Sequence, residues 1–293
     1  MICDLRFTRT IQFACLALFL AFGLHPSTLL AQGSLTPPGA PAPTMLTLSQ
    51  VEPRTPVDSV HTPGNSLYEF IISQPGSYYL TTNVLGASSQ NGVNISANNV
   101  TLDLNGFSVI GPSTADNGII ISSGTSNSIV KNGTISGWGT LDDGVLSVGN
   151  NVHLENLNVS AGVVGIQCSG DGGVIKNCTI SHAGQWGVYL SGSNCLVSCN
   201  YFLENNTGNN GNGAAILINS ANNVMEDNHV TGSSPSGFGI SVNGVSGITN
   251  NIIIRNTVQG NAANNYSVPG TGNDVGPIGS ASTNTSPWGN SSN

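Results

Sequence analysis

The sequence predicts an all-β fold, a single-stranded right-handed parallel β-helix of about seven coils. Three observations predict it: a repeated apolar pattern, an asparagine at a fixed place in each repeat, and the absence of helical periodicity. From residue 91 onward the pattern reads GVNIS from Gly92, GIIIS from Gly118, GVLSV from Gly144, GIQCS from Gly165, GVYLS from Gly187, AILIN from Ala215 and GISVN from Gly239. Each copy passes through a polar turn into a second apolar stretch ending at Asn105, Asn132, Asn156, Asn177, Asn200, Asn228 or Asn256. The apolar runs are short, β-branched and alternate with period two between Gly, Asn and Ser, which describes strands. A fixed internal period then describes a solenoid.

The intervals between the asparagines run from 21 residues (Asn156 to Asn177) to 28 (Asn200 to Asn228). Such irregular coils favour the right-handed form, because left-handed β-helices use strict six-residue steps. A leucine-rich repeat would need a leucine ladder and usually a helical return, and neither is present.

Stacked coils lie about 4.8 Å apart, so like side chains at a bend can hydrogen-bond to each other, and Asn tolerates the left-handed backbone of a tight bend. The asparagine column is therefore read as scaffold. The residues just before it, Leu104, Lys131, Glu155, Lys176, Cys199, Asp227 and Arg255, form an expected outward column. That column sets Lys131 and Lys176 beside Glu155, and Asp227 against Arg255, in modestly stabilising cross-strand pairs.

The ends differ in kind. Residues 1–31 read as a signal peptide: Arg6 and Arg9, the apolar run Ile11 to Leu24, then small residues up to Ala31. Residues 32–50 form a proline-rich linker. Residues 51–90, with two apolar strands around Pro75-Gly76, are expected to cap the first coil, since an open helix exposes an edge there. Residues 91–260 are the β-helix, and 261–293 a low-complexity tail placed to fold back over the last coil.

Only 7% of the chain is charged and the formal net charge is −8, so no nucleic-acid backbone could be neutralised and nucleic acid is excluded as a partner. Once the signal is cleaved no membrane association is expected, and the location is extracellular or periplasmic. Export permits disulfides among Cys168, Cys178, Cys195 and Cys199, whose three pairings the sequence leaves open. Their spacing is not that of a zinc site. Cys168 falls where other copies have Leu190, Ile218 or Val242, a core position. The oligomeric state is left open.

The pattern G-[VI]-x-[IVL]-S followed by N-x-x-[IV] resembles the right-handed parallel β-helix repeats of the pectin lyase-like superfamily, over about residues 67 to 260. That resemblance implies a polysaccharide ligand. Members include pectate lyases, polygalacturonases, alginate lyases and mannuronan epimerases, and also non-catalytic adhesins and tail proteins, so a reaction is not implied. Of the polygalacturonase signatures (Asn-Thr-Asp, Asp-Asp, Gly-His-Gly, Arg-x-Lys) only Asp142-Asp143 is present. A lyase would need an arginine base with calcium-binding aspartates, and Arg255 is the one arginine of the repeats. The epimerase Asp-Pro-His-Asp is absent.

Chemistry is then expected on the loops that close the coils. Counted back from the coil-start glycine, Asp116 and Asp142 hold the same position in adjacent coils, which could bring their carboxylates roughly 5 Å apart. Asp116, Asp142, Asp143 and His182 are the candidate catalytic residues. Trp138, Gln185, Trp186 and Glu204 are the candidate ligand-binding residues, the tryptophans as stacking surfaces for sugar rings. The plainer alternative is that the loop aspartates form Asx turns or bind a structural calcium, the one cofactor considered, and that both tryptophans cover strand ends. Two functions follow: a secreted enzyme of lyase, hydrolase or epimerase type, or a non-catalytic surface or matrix protein that binds glycan or protein through its β-helix face.

Overall fold

The structure, a computed structural model, describes residues 52–139, 142–160, 162–233 and 236–293. The expected signal peptide, the whole expected linker and Val51 lie outside these. Every regular element among the described residues is a strand. Among the described residues no helix is long and apolar enough to cross a membrane.

Nine strands stack in chain order into one parallel sheet: Tyr68–Ile72, Asn91–Ile95, Ile119–Ile121, Asp143–Ser147, Val164–Cys168, Trp186–Leu190, Ala214–Ile218, Phe238–Val242 and Tyr266–Ser267. They define coils 1 to 9. Between them the chain lays further short strands into an 18-stranded sheet. The expected architecture holds, with nine coils in place of seven. The two additional coils come from the segments read as cap and tail. Phe70 pairs with Val93 in parallel register, and Tyr266 with Ile240. These coils carry Glu69 and Asn265 where the others carry the leading Gly or Ala, so the repeat pattern does not reveal them. The last strand, Asn290–Ser292, folds back onto Thr257–Gln259 of coil 8.

Parallel register places like residues over one another and builds the core as columns. One runs Val93, Ile119, Val145, Ile166, Val188, Ile216, Ile240. A second runs Leu102, Val130, Leu154, Ile175, Val197, Met225, Ile253. A third runs Val109, Ile135, Val159, Ile180, Phe202, Val230, Val258. All are buried. Each contributes about 1.5–3 kcal/mol by leaving water, and β-branched shapes suit strands that are covered inside.

The asparagine column is not one column. Asn132, Asn156 and Asn177 are themselves the left-handed residues of their bends, with φ of 62°, 54° and 54°. Asn156 donates its side-chain amide to Asn132 Oδ1 at 3.2 Å, at the surface. In coils 6 to 8 the left-handed residue is Cys199, Asp227 or Arg255, and the asparagine follows it by one place. That single-residue offset turns Asn200, Asn228 and Asn256 inward, where they are buried. Nδ2 of Asn200 donates to Asn228 Oδ1 at 3.0 Å, Asn228 to Asn256 at 2.9 Å, and Asn256 to Asn290 at 3.2 Å. Each Oδ1 also accepts the main-chain N–H one coil earlier. The ladder begins at Cys178, whose N–H donates to Asn200 Oδ1 at 2.9 Å.

The same offset revises the outward charges. In register, Asp103, Lys131, Glu155 and Lys176 stand side by side, while Leu104, expected in this column, is buried. Arg255 donates from Nε and Nη2 to the two oxygens of Asp227, both at 2.9 Å. This pair is at the surface and contributes little to stability.

Asn228→Ala removes an acceptor and two donor bonds at once and strands buried partners on both neighbouring coils. The expected loss is about 3 kcal/mol in denaturant unfolding. At Asn156, in the exposed ladder, the same change should cost under about 1 kcal/mol.

Candidate functional site

The candidate residues lie on the turns where coils 3 to 8 enter the nine-stranded sheet, and register fixes their order. Asn91, Asn117 and Asp143 share one register position at the start of consecutive sheet strands. Asn117 donates from Nδ2 to Asn91 Oδ1 at 3.0 Å, and the Asp143 N–H donates to Asn117 Oδ1 at 2.9 Å. This short ladder ends at Asp143 and uses only its N–H. The carboxyl is therefore surplus to the scaffold.

Asp143 is 8% exposed. Burial, then the charge of Asp142, pushes its carboxyl up to about 7. Asp142 is also raised above the usual carboxylate range, by burial and then by Asp116. Asp116 and Asp142 precede Asn117 and Asp143 and so stand one coil apart, roughly 5 Å, as their sequence positions implied.

Trp138 is packed inward rather than presented on a loop. Its ring is 3% exposed and its Nε1–H donates to the Val109 carbonyl at 3.0 Å. It fills a space left by missing side chains: Cβ atoms built on Gly86, Gly92 and Gly111 would come within 2.4, 2.9 and 2.6 Å of the indole. Sequence position alone put Trp138 on a loop, and only these glycines from earlier coils show that the loop folds inward.

A trough of about 370 Å³ opens beside it, lined by Gly139, Gly162, Gly184 and Gly208 with Trp138, His182 and Thr207. Its floor is main chain: a Cβ on Gly139 would meet the Ala115 carbonyl at 2.2 Å, and one on Gly208 the Gly184 carbonyl at 2.8 Å. Asp142 stands at one end, with Oδ2 at 3.4 Å from such a Cβ on Gly139. His182 and Glu204 stand on adjacent coils, with Nε2 to Oε2 at 3.3 Å and half or more of each side chain exposed. Both have positive φ, 56° and 48°, in a bend column that elsewhere holds Gly232 and Gly260. Glu204 is thus a partner of His182 rather than an isolated contact.

Two residues beyond Gly184, Trp186 lies against Tyr189 with centroids 4.9 Å apart and planes at 21°. Its Nε1–H donates to the Asn212 carbonyl at 3.1 Å. Trp186 and Phe238 line a second groove of about 340 Å³ with Asn212, Leu217, Ser241, Asn243 and Ser267, none of them titratable. Gln185 stands between trough and groove, its N–H donated to the Val163 carbonyl. Tyr189 and Ser241 were not singled out from sequence. Strand alternation could have found them, since the outward places of successive sheet strands are Gln167, Tyr189, Leu217, Ser241 and Ser267. Among the described residues, no three His, Cys, Asp or Glu side chains are grouped to hold a metal ion, calcium included.

The fold and its columns define the class: the chain is a right-handed parallel β-helix repeat protein. In agreement, the family model "Right handed beta helix region" matches residues 143–275. No protein of curated function matches the sequence. Among solved structures the chain is similar to the Dettilon tailspike protein, with 12% identity and TM-score 0.51, over 77% of this chain and 52% of that one. It thus spans about half the length of that tailspike. It is also similar to the alginate lyase from Paenibacillus sp. str. FPU-7, with 16% identity and TM-score 0.45, over 78% of this chain and 83% of the other.

Trp138→Ala should cost about 3–5 kcal/mol in unfolding experiments, the range for emptying a buried aromatic site. If Trp138 acted as an exposed platform, stability would hardly change. Asp143 gives a pH signature. Below about pH 4 both folded and unfolded Asp143 are protonated and its contribution is intact. Between pH 4 and 7 the unfolded chain ionises first, and up to about 4 kcal/mol is lost. Unfolding free energies of wild type and Asp143→Asn should therefore diverge across that window, the variant being the less pH-dependent; parallel curves would show that Asp143 ionises normally.

Proposed function

We propose that the chain is an exported protein that binds an extracellular polysaccharide along coils 4 to 8 and cleaves it, with Asp143 as proton donor. One observation carries this reading. Asp143, Trp186 and Phe238 occupy a single register position in coils 4, 6 and 8, through Val164 and Ala214 between them. They therefore recur every two coils, about 10 Å apart along the axis. An acid and two aromatic surfaces in file, beside a trough floored by main chain, suit an extended ligand better than a compact one.

The chemistry of each part fits. Aromatic faces pack against the apolar faces of sugar rings, and hydroxyls find Asn212, Ser241, Asn243 and Ser267 in a groove without charge. With its carboxyl near 7, Asp143 is still protonated in a substantial fraction at neutral pH and can donate to a glycosidic oxygen. Burial, and then the charge of Asp142, holds it there, and the carboxylates of Asp142 and Asp116 face the cation that develops. His182, paired with Glu204, is placed to hold or pass a proton at the trough's rim. Export rests on residues 1–31.

The non-catalytic reading is favoured by a specific observation as well: Asp143 ends a ladder as part of the scaffold. Asp143→Asn separates the two, since an amide is already tolerated at this position in Asn91 and Asn117. On plant, algal and bacterial polysaccharides, reducing-end release should fall about 100-fold or more in Asp143→Asn with binding retained, and Trp186→Ala should weaken binding about tenfold. Binding by wild type without product would leave a glycan-binding protein. Undiminished product from Asp143→Asn would remove the residue from the chemistry.

A further inference from the structure

Two buried thiols lie closer together than the core requires. Cys168 ends the sheet strand of coil 5 and Cys195 lies on the turn of coil 6; each is 2% exposed. Their sulfurs are 3.9 Å apart, and both approach the Gly170 carbonyl, at 3.7 and 3.6 Å. Gly173 leaves room for them: a Cβ there would stand 2.5 Å from Cys168 Sγ and 3.5 Å from Cys195 Sγ. The other two cysteines among the described residues are placed differently. Cys178 directs its thiol to the Leu154 and Lys176 carbonyls, and Cys199 is exposed on a bend.

We propose that Cys168 and Cys195 are a disulfide pair, closed by exchange with a disulfide donor such as oxidised glutathione, and that the bond staples coil 5 to coil 6. Closure needs the sulfurs to approach by under 2 Å, within reach of side-chain rotation. The Cys195 thiolate attacks one sulfur of the donor and expels one glutathione thiolate. The Cys168 thiolate then attacks the Cys195 sulfur of the mixed disulfide and expels the second. Two thiols are oxidised, one glutathione disulfide is reduced, and the two expelled glutathione thiolates take up the two protons the protein thiols lose, leaving two glutathione molecules. Since both sulfurs are buried once the coils have stacked, the exchange belongs to folding in an oxidising compartment.

The test refolds the full chain with and without oxidised glutathione, blocks free thiols with an alkylating reagent after denaturation, and maps peptides without reduction. The expected product joins Cys168 to Cys195 and leaves Cys178 and Cys199 alkylated. The oxidised form should melt roughly 5–10 °C above the reduced one, as closing a loop of this length restricts the unfolded chain. In Cys168→Ala and Cys195→Ala that difference should vanish, while a Cys178→Ala, Cys199→Ser double variant should keep both the link and the shift. Alkylation of both Cys168 and Cys195 after oxidative refolding would overturn the proposal, as would a link from either to Cys178 or Cys199.

Discussion

A buried amide in a stacked coil has one place to find its partner, which is the same amide one coil away. Strands repeat at about 4.8 Å, so whatever sits at an inward bend meets its counterpart there and little else. Asn satisfies the condition because it donates and accepts from one planar group. The ladder through Asn200, Asn228, Asn256 and Asn290 meets it at every rung, while in a second ladder on another turn Asn251 donates its amide to Asn273 and Asn223 reaches Asn251 by its main-chain N–H, its amide going to Ser220. The apolar columns supply most of the driving force. The ladders decide which register those columns adopt, since a slip of one residue would strand every rung.

That constraint explains what could be seen in the sequence and what could not. The repeat, the strands and the parallel stacking were legible because apolar alternation between glycines has no other reading. The place of each asparagine was legible only to within a residue. Asn177 and Asn200 look equivalent in sequence, yet one is a left-handed bend residue at the surface and the other an inward rung beside it. The two bends have equal length, but Asn177 takes the first of the two bend places, where Cys199 stands one coil later, and Asn200 takes the second, where Cys178 stands one coil earlier. Coils 1 and 9 were hidden for a related reason: Glu69 and Asn265 stand where the leading small residue should. At the leading glycines the crowding comes from the carbonyl of the following coil, and Asn265 stands in the last strand of the sheet, where no following strand crowds it.

At the site, counting residues from the glycines located the loops and the adjacency of Asp116 and Asp142. Register accounts for that success, since loops entering one sheet strand must lie beside the loops entering the next. Burial was the part that counting could not supply. Trp138 and Asp143 both sit on apparent loops, yet one closes a gap among three glycines of the two earlier coils and the other finishes an amide ladder. Contacts of this kind join residues 26 to 52 positions apart, so they are visible in sequence only after the coil boundaries are known to the residue.

The ladders also have a direction. In the two bend ladders each Oδ1 faces the N–H of the preceding coil, so the first member contributes a main-chain N–H and needs no amide of its own. Cys178 and Cys195 occupy those first places. Such a stack is open to growth: a coil inserted toward the C-terminus needs only an asparagine of its own to join it, and the coil at the head can carry any side chain that fits. Length in this molecule is thus a quantity that duplication can change one coil at a time, while the freedom to vary is concentrated at the head of each ladder.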